Sequence, residues 1–494
     1  AKQKKNNVHR QMCDFEADFV LIGSGAGGSA AAAMLRAKNA SFVWFEGGTD
    51  ESHKLTTFPA IDPRSYPSNV YTPAALKFGQ QSIPYAIPFG TGGMTSHYVG
   101  VQYWTLEDTV SSLQLTTDDD FEGLEFVRNH TNRQHVMCDA FVESVHTHPR
   151  ASADPATEEE FASLPMCMYG TCKAGADACQ LNKWFMASAG MGESTSAISG
   201  WHRSSSFLEY GSAPILGHRA TSLRIDGSRA TGVYLRENAT VDKLACARNG
   251  VLLAAGVMGD SKIVLSSLVD EELSFFAQPV MVYYDPAVIS HVEACDPGSA
   301  QGGTFHRLPT VASPHGFLST LGICNVGGQR RIAWMTPQSV HPYIRGTIGL
   351  RNGSVEAMLN VNENESIMRD LIQDVEMAVR RLYNVTLNMS SSHQTFENAA
   401  YHWTGTQKDV YKSRFRRLDN VWFADAMGVT GNTSGWTSFN ARVAGAVAAN
   451  RALMWSSDVC ADVKQQNKLE GCCTNSDSSV CADFLALYER AGCC

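Results

Sequence analysis

The stretch from Asp18 to Glu46 constrains the fold of this chain more than any other. Asp18-Phe19-Val20-Leu21-Ile22 is a short apolar run that leads into Gly23-Ser24-Gly25-Ala26-Gly27-Gly28, and an alanine-rich segment, Ser29 to Arg36, follows without a break. The order is strand, turn, helix. A second apolar run, Ser41 to Phe45, ends at Glu46, eighteen residues beyond Gly28. Each glycine has a physical use: Gly23 permits the tight turn, Gly25 lets the backbone approach a pyrophosphate, and Gly28 lets the helix pack closely on the strand. Amides at the helix N-terminus face anionic groups, and Ala26 of the turn is counted with the cofactor-binding residues. Glu46 is placed to accept hydrogen bonds from a ribose diol. The segment predicts a dinucleotide site and leaves FAD or NAD open.

Composition narrows the setting. A chain of 494 residues, 44% of them apolar, is long enough for two packed domains. Lysine plus arginine (40) falls short of aspartate plus glutamate (49), and no basic run follows the lead Ala1 to Arg10, so a nucleic-acid partner is not expected. The apolar stretch Phe19 to Leu35 is broken by glycines and two serines and stops at Arg36, which fits a turn and a buried helix better than a membrane span. No signal peptide is recognisable, and Ala1 is not an initiator methionine, which leaves an upstream segment open.

Cysteine usage points to an oxidising compartment. Six of the fourteen cysteines (Cys460, Cys472, Cys473, Cys481, Cys493 and Cys494) crowd into the tail, which predicts a disulfide framework and a secretory or extracellular location. With no Cys-x-x-Cys pair and no histidine in that tail, no metal site is expected. Eight Asn-X-Ser/Thr sequons, at Asn39, Asn129, Asn238, Asn352, Asn364, Asn384, Asn388 and Asn432, fit a glycoprotein; those at Asn39 and Asn432 fall inside motifs and are expected to be unused.

Farther along, 111–200 reads as an irregular cap or loop region with Cys167, Cys172 and Cys179. From His218 to Gly256 short strands with turns are expected: Thr221 to Ile225, Gly232 to Arg236 and Gly250 to Ala255. Residues 271 to 400 mix strands, such as Val280 to Tyr284 and Val355 to Val361, with a periodic helix from Glu365 to Tyr383.

Four segments together resemble the glucose–methanol–choline oxidoreductase family. Besides the first glycine turn they are Gly90-Thr91-Gly92-Gly93-Met94-Thr95-Ser96-His97-Tyr98; the strand and Ala-Gly turn Gly250 to Ser261; and a C-terminal pair, Tyr401 to Thr406 with Asn420 to Ala426. Order and spacing match from about residue 17 to about 453. The resemblance implies an α/β (α+β) fold: a Rossmann-like FAD-binding domain and a substrate domain on a mixed, largely antiparallel sheet. The expected boundaries are 11–110, 201–270 and 411–455 for the discontinuous FAD domain, 271–410 for the substrate domain and 456–494 for the cysteine-rich tail.

The resemblance also implies the chemistry: oxidation of a small-molecule alcohol to a carbonyl by hydride transfer to FAD, with oxygen or another acceptor taking the electrons. Gly92 and Gly93 lie against the flavin, and Ala255 and Asp425 fall in cofactor-contacting segments. His402, directly before x-x-Gly-Thr, matches the catalytic base. Asn432 is chosen for the second catalytic position, with Thr433 and Ser434 as alternatives of register. His97 matches the histidine through which some members attach FAD covalently, and a histidine merely packed near the ring is the alternative. The chain departs from the family where Gln407-Lys408-Asp409-Val410 follows Gly405-Thr406 and where the proline after the Asp425 segment is missing. A lyase of the hydroxynitrile type and an inactive secreted flavoprotein are the rival readings.

Overall fold

The computed structural model describes residues 12–48, 71–78, 81–88, 90–93, 106–130, 166–168, 213–237, 241–268, 271–277, 280–283, 309–313, 316–326, 329–339, 344–360, 373, 403–430 and 437–467. The chain begins with β1 (Phe15–Ile22), α1 (Ala26–Ala37) and β2 (Phe42–Phe45). Strands β3 (Tyr71–Phe78) and β4 (Gln81–Pro88) come next, then α2 (Leu106–Leu113), α3 (Asp118–His130) and β5 (Met166–Met168). A hairpin, β6 (His218–Asp226) and β7 (Arg229–Glu237), feeds the long β8 (Val241–Leu253), which ends at α4 (Gly256–Leu265). Strands β9 (Leu273–Ala277), β10 (Val280–Tyr283), β11 (Pro309–Ser313), β12 (Gly316–Val326), β13 (Gln329–Ser339), β14 (Ile344–Arg351) and β15 (Ser354–Leu359) follow. The last described elements are β16 (Trp403–Thr404), β17 (Val410–Tyr411), β18 (Arg414–Phe415), β19 (Val421–Phe423) and α5 (Thr437–Asn467).

The first sheet has the order β17-β18-β19-β8-β1-β2, with β7 on the early half of β8 and β6 beyond it. Its centre is parallel: β2, β1, β8 and β19 run side by side in one direction. Strand β1 is three residues longer than expected because Phe15, Glu16 and Ala17 pair with Ala245, Cys246 and Ala247 before a register shift at Asp18. Beside this shift Arg248 binds Asp18 at 2.8 Å, and a disulfide joins Cys13 to Cys246. Neither cysteine stands in the tail on which the sequence reading concentrated; of the tail cysteines only Cys460, within the last helix, is among the described residues, and Cys172 and Cys179 lie outside them.

Helix α1 starts at Ala26, earlier than the glycine content suggests, and residues 27–35 are all buried. It lies between the sheet and α5, and its alanines let the two helices approach closely. The contact is tightest where a Cβ built on Gly445 would stand 2.0 Å from the Gly27 carbonyl oxygen. No described helix is long and apolar enough to cross a membrane.

The second sheet, β16-β9-β14-β15-β3-β4, is antiparallel except for the parallel pair β15–β3. It is the mixed, largely antiparallel sheet expected for the substrate side. Strands β3 and β4 join it from within 11–110, a stretch assigned by sequence to the nucleotide side. A further antiparallel sheet has the order β10-β13-β12-β11-β5. Among its members, β5 comes from within 111–200. The periodic helix expected over Glu365 to Tyr383 lies, apart from one helical residue at 373, outside the described residues.

The reading of 111–200 as irregular needs correction at its start. Leu113, Leu115, Leu124 and Val127 belong to the same core as α1 and α5, and the polar spacing that suggested a loop is the solvent face of α2 and α3. Thr117 accepts the amide of Asp120, and Asp120 Oδ2 accepts the amides of Thr116 and Thr117, so the turn between the helices is capped at both sides. Arg451 of α5 closes it. Its Nε donates to Asp120 Oδ1 at 2.6 Å, and its other nitrogens donate to the carbonyls of Leu113 and Gln114 and to the Ser413 hydroxyl. Burial alone would raise the Asp120 carboxyl, but these bonds and the guanidinium charge hold it below its ordinary value.

Removing one partner of such a pair strands the other charge. Arg451→Met is expected to lower unfolding stability by about 3–5 kcal/mol in urea titration. A loss under ~1 kcal/mol would show the pair to be dispensable.

Candidate functional site

The candidate site is built at the end of the parallel strands. Ile22 of β1 stands level with Phe45 and Leu253, and Leu253 stands level with Phe423. The residues that follow continue the ladder one step: the amide of Gly23 donates to Phe45, that of Ala254 to Ile22, and that of Ala424 to Leu253. Gly23, Glu46, Ala254 and Ala424 thus leave the sheet along one edge. In a parallel sheet this is where ligands bind.

The first glycine turn is packed against that edge. Gly23 has φ +94°, and a Cβ there would lie 2.2 Å from the Ala254 carbonyl oxygen. At Gly28 a Cβ would lie 2.1 Å from the Gly23 oxygen, and at Gly27 it would meet the Ala424 oxygen at 2.0 Å. Gly25 is different: nothing lies within 4 Å of its Cβ position. It is the N-cap of α1 and supplies no side chain, so the first-turn amides from Ala26 onward have no side-chain cap. Open space beside uncapped amides fits a pyrophosphate.

Glu46 is buried and its carboxylate is the hub of the turn. Oε2 accepts both the amide (3.0 Å) and the hydroxyl (2.7 Å) of Ser24, and Oε1 accepts the amides of Gly48 (2.8 Å) and Gly90 (3.2 Å). Burial raises its pKa, against the lowering effect of these four bonds. Sequence reasoning assigned Glu46 to a ribose diol; the structure places it as the brace between the two glycine segments. Ser24, passed over as a spacer, carries the other half of the brace, since the amide of Gly92 approaches both its carbonyl and its hydroxyl oxygen, at 3.2 and 3.3 Å. Gly92 and Gly93 take positive φ, +88° and +50°, and a Cβ on Gly93 would lie 3.2 Å from the Gly25 Cα. The second glycine motif therefore docks on the first.

Ala255 is the N-cap of α4, and its amide donates to Asp260. Asp425 caps two turns at once: Oδ1 accepts the amide of Met427, and Oδ2 accepts that of Gly256 at the start of α4. The segment after the histidine candidate is fastened to the same place. Gly405 bridges to Thr430, its amide donates to Ala426, and a Cβ on it would lie 2.1 Å from the Met427 oxygen. Trp403 is buried and stacks on Phe275 at 4.8 Å.

Two departures from the family pattern acquire a physical role. Asp409, in the departing stretch Gln407-Lys408-Asp409-Val410, is buried and accepts the amide of Ser274 in β9 at 2.7 Å, tying the loop to the second sheet. Thr430 donates its amide and its hydroxyl to the carbonyl of Ser112, a bond that a proline at that position could not form. His97, His402 and Asn432 lie outside the described residues; their flanks, Gly90–Gly93, Trp403–Thr406 and Asp425–Thr430, converge on this edge. Among the described residues no group of three or more potential metal ligands occurs.

Fold and site together present a parallel-sheet edge with the shape a dinucleotide requires, and the second sheet packs on α4 and on the Ala426–Gly428 turn beside it. Compared with solved structures, the chain is similar to a formate oxidase variant of Aspergillus oryzae RIB40 from work on FAD modification, at a TM-score of 0.55 and 14% identity, over 91% of this chain and 99% of that one. A second formate oxidase structure gives a TM-score of 0.53 at 13% identity, again over 91% and 99%. The fold is that of the glucose–methanol–choline oxidoreductases, as the motifs implied. No family model and no curated protein matches the sequence.

The glycines should separate by substitution. Gly25→Ala is expected to leave the melting temperature nearly unchanged while weakening nucleotide binding at least about tenfold, since its Cβ enters only the open space. Gly28→Ala is expected to prevent folding. Equal melting temperatures for the two variants would contradict this geometry.

Proposed function

We propose that this protein binds FAD and uses it to oxidise an alcohol to a carbonyl. The observation that carries the reading is the docking of two glycine motifs, Gly23–Gly28 and Gly90–Gly93, at the edge where four parallel strands end. The bound flavin would supply a hydride acceptor. The adenosine pyrophosphate half is assigned to Gly25, the α1 amides and the Glu46 brace. The flavin half is assigned to Gly92 and Gly93, with the turns at Ala255 and Asp425 beneath.

His402 is assigned the hydroxyl proton, because an imidazole exchanges protons near neutral pH and its motif is anchored beside Asp425 through Gly405. Asn432 is assigned to hold the substrate oxygen as negative charge develops on it. His97 is assigned covalent attachment of the flavin. The Cys13–Cys246 disulfide supports maturation in an oxidising compartment, and with it the secretory location and glycosylation.

Anaerobic mixing with a panel of sugars, aromatic and aliphatic alcohols and formate tests the activity through bleaching of the flavin band. At least one alcohol is expected to bleach it; a bound flavin that no alcohol reduces would instead favour the lyase or inactive readings. His402→Ala should slow that reduction by at least about 10²-fold. Acid precipitation should give a yellow pellet if His97 holds the flavin covalently, and free FAD in the supernatant removes that assignment. A glycan on Asn432 would exclude it from catalysis.

A further inference from the structure

Two of the eight sequons, Asn39-Ala40-Ser41 and Asn352-Gly353-Ser354, lie wholly within the described residues, and the fold treats them alike. In each the asparagine and the serine are exposed. Each asparagine also takes a left-handed backbone, φ +54° at Asn39 and +50° at Asn352, a conformation that asparagine tolerates better than most side chains do. The chemistry proposed above uses neither residue.

Asn39 stands where α1 stops. The amides of Lys38, Asn39 and Ala40 turn back to the carbonyls of Met34, Arg36 and Leu35, and the left-handed residue leads the chain out of the helix. The open position at Gly25 is the other end of the same helix, about 18 Å away at about 1.5 Å per residue. Membership of the nucleotide motif, the reason for expecting Asn39 to be unused, therefore does not bring it near the nucleotide. Asn352 is at the tip of the hairpin of β14 and β15. Arg351 pairs with Ser354, so Asn352 and Gly353 form a two-residue loop, and their positive φ values, +50° and +74°, are those of the tight turn that favours Asn-Gly. A Cβ on Gly353 would meet nothing within 4 Å. Ala277 fixes where the tip lies in the sheet, since it pairs with Trp403 on one side and Ile344 on the other. From Ile344 the strand runs away from the Trp403 row, and successive steps of about 3.4 Å put Asn352 roughly 25 Å beyond it.

We propose that Asn39 and Asn352 each carry an N-linked oligosaccharide. The inference rests on the secretory maturation assigned above from the Cys13–Cys246 disulfide. An N-linked glycan is bulky and solubilising, so a site that keeps one must hold it in solvent and clear of bound ligands. The far end of α1 and the far end of β14 do both. The donor is an oligosaccharide joined to a lipid diphosphate. Nδ2 of the asparagine loses a proton and bonds to the sugar C1, the C1–O bond to the diphosphate breaks, and the lipid diphosphate leaves; nothing is oxidised or reduced.

Peptide mapping of the full chain secreted from a eukaryotic host tests this directly. Peptide-N-glycosidase in ¹⁸O-labelled water turns a glycosylated asparagine into ¹⁸O-labelled aspartate, and the label is expected at Asn39 and Asn352 in most molecules. Ser41→Ala and Ser354→Ala destroy the sequons without touching the left-handed asparagines, and each should remove one glycan step on a denaturing gel while flavin content and melting temperature stay at the wild-type value. Label at other sequons but at neither of these overturns the proposal and leaves the glycoprotein reading standing. Secreted protein with no label at any sequon overturns both. Label at Asn352 alone overturns the assignment of Asn39 and returns it to the shielding expected from its motif. Aspartate found at 352 before any treatment marks spontaneous deamidation of the Asn-Gly pair and overturns the glycan there.

Discussion

The structure depends first on the parallel register of β2, β1, β8 and β19. One row of residues, Phe45, Ile22, Leu253 and Phe423, closes four strands drawn from chain positions hundreds of residues apart. Each following amide makes one more ladder bond before the chain leaves the sheet. Because side chains alternate along a strand, a slip of one residue in any of the four would turn its terminal residue to the opposite face. Gly23, Glu46, Ala255 and Asp425 would then no longer meet. The site is a consequence of register before it is a consequence of any one side chain.

Close packing fixes what remains. Gly27 is wedged between Ala424 in front and Gly445 behind, and Gly28 against Gly23, so α1 has no room to shift along the edge. The alanines of α1 are buried on every side, which explains why this helix lacks the one-faced pattern of a surface helix. Only Gly25 faces space. A turn in which three glycines are jammed and one is open presents its amides from a fixed position, and preorganisation of that kind lowers the ordering cost of binding.

The parts of this arrangement that were legible in the sequence are those set by local pattern. An apolar run, a glycine turn and an alanine-rich helix place β1 and α1 correctly within a few residues, and the expected strands Thr221 to Ile225 and Gly232 to Arg236 fall within the β6–β7 hairpin. What was not legible depends on partners far along the chain. Strand β1 extends to Phe15 only because β8 pairs with it, and Cys13 finds Cys246 for the same reason. Residues 111–130 read as irregular because half their surface is solvent-facing, whereas Leu124 and Val127 are buried only by α1 and α5. Thr430 and Asp409 break a family pattern, yet each supplies a hydrogen bond that can be recognised only once Ser112 and Ser274 are beside them. Ser24 had no signal at all, since its value lies in meeting Glu46 and Gly92 at once.

That three buried acids, Glu46, Asp260 and Asp425, surround a place suited to an anion looks like a contradiction in electrostatics. It is resolved by where their hydrogen bonds go. Glu46 accepts from Ser24, Gly48 and Gly90, Asp260 from Ala255, and Asp425 from Gly256 and Met427. These are the amides of the turns that flank the cradle, while the first-turn amides of α1 have no side-chain acceptor. The acids therefore satisfy and aim the surrounding backbone and leave one set of donors for the ligand. The cost is negative charge close to an anion, and burial already weakens it by raising the pKa of all three. Glu46 meets that cost with four donors. Asp260 and Asp425 meet it with three amides between them.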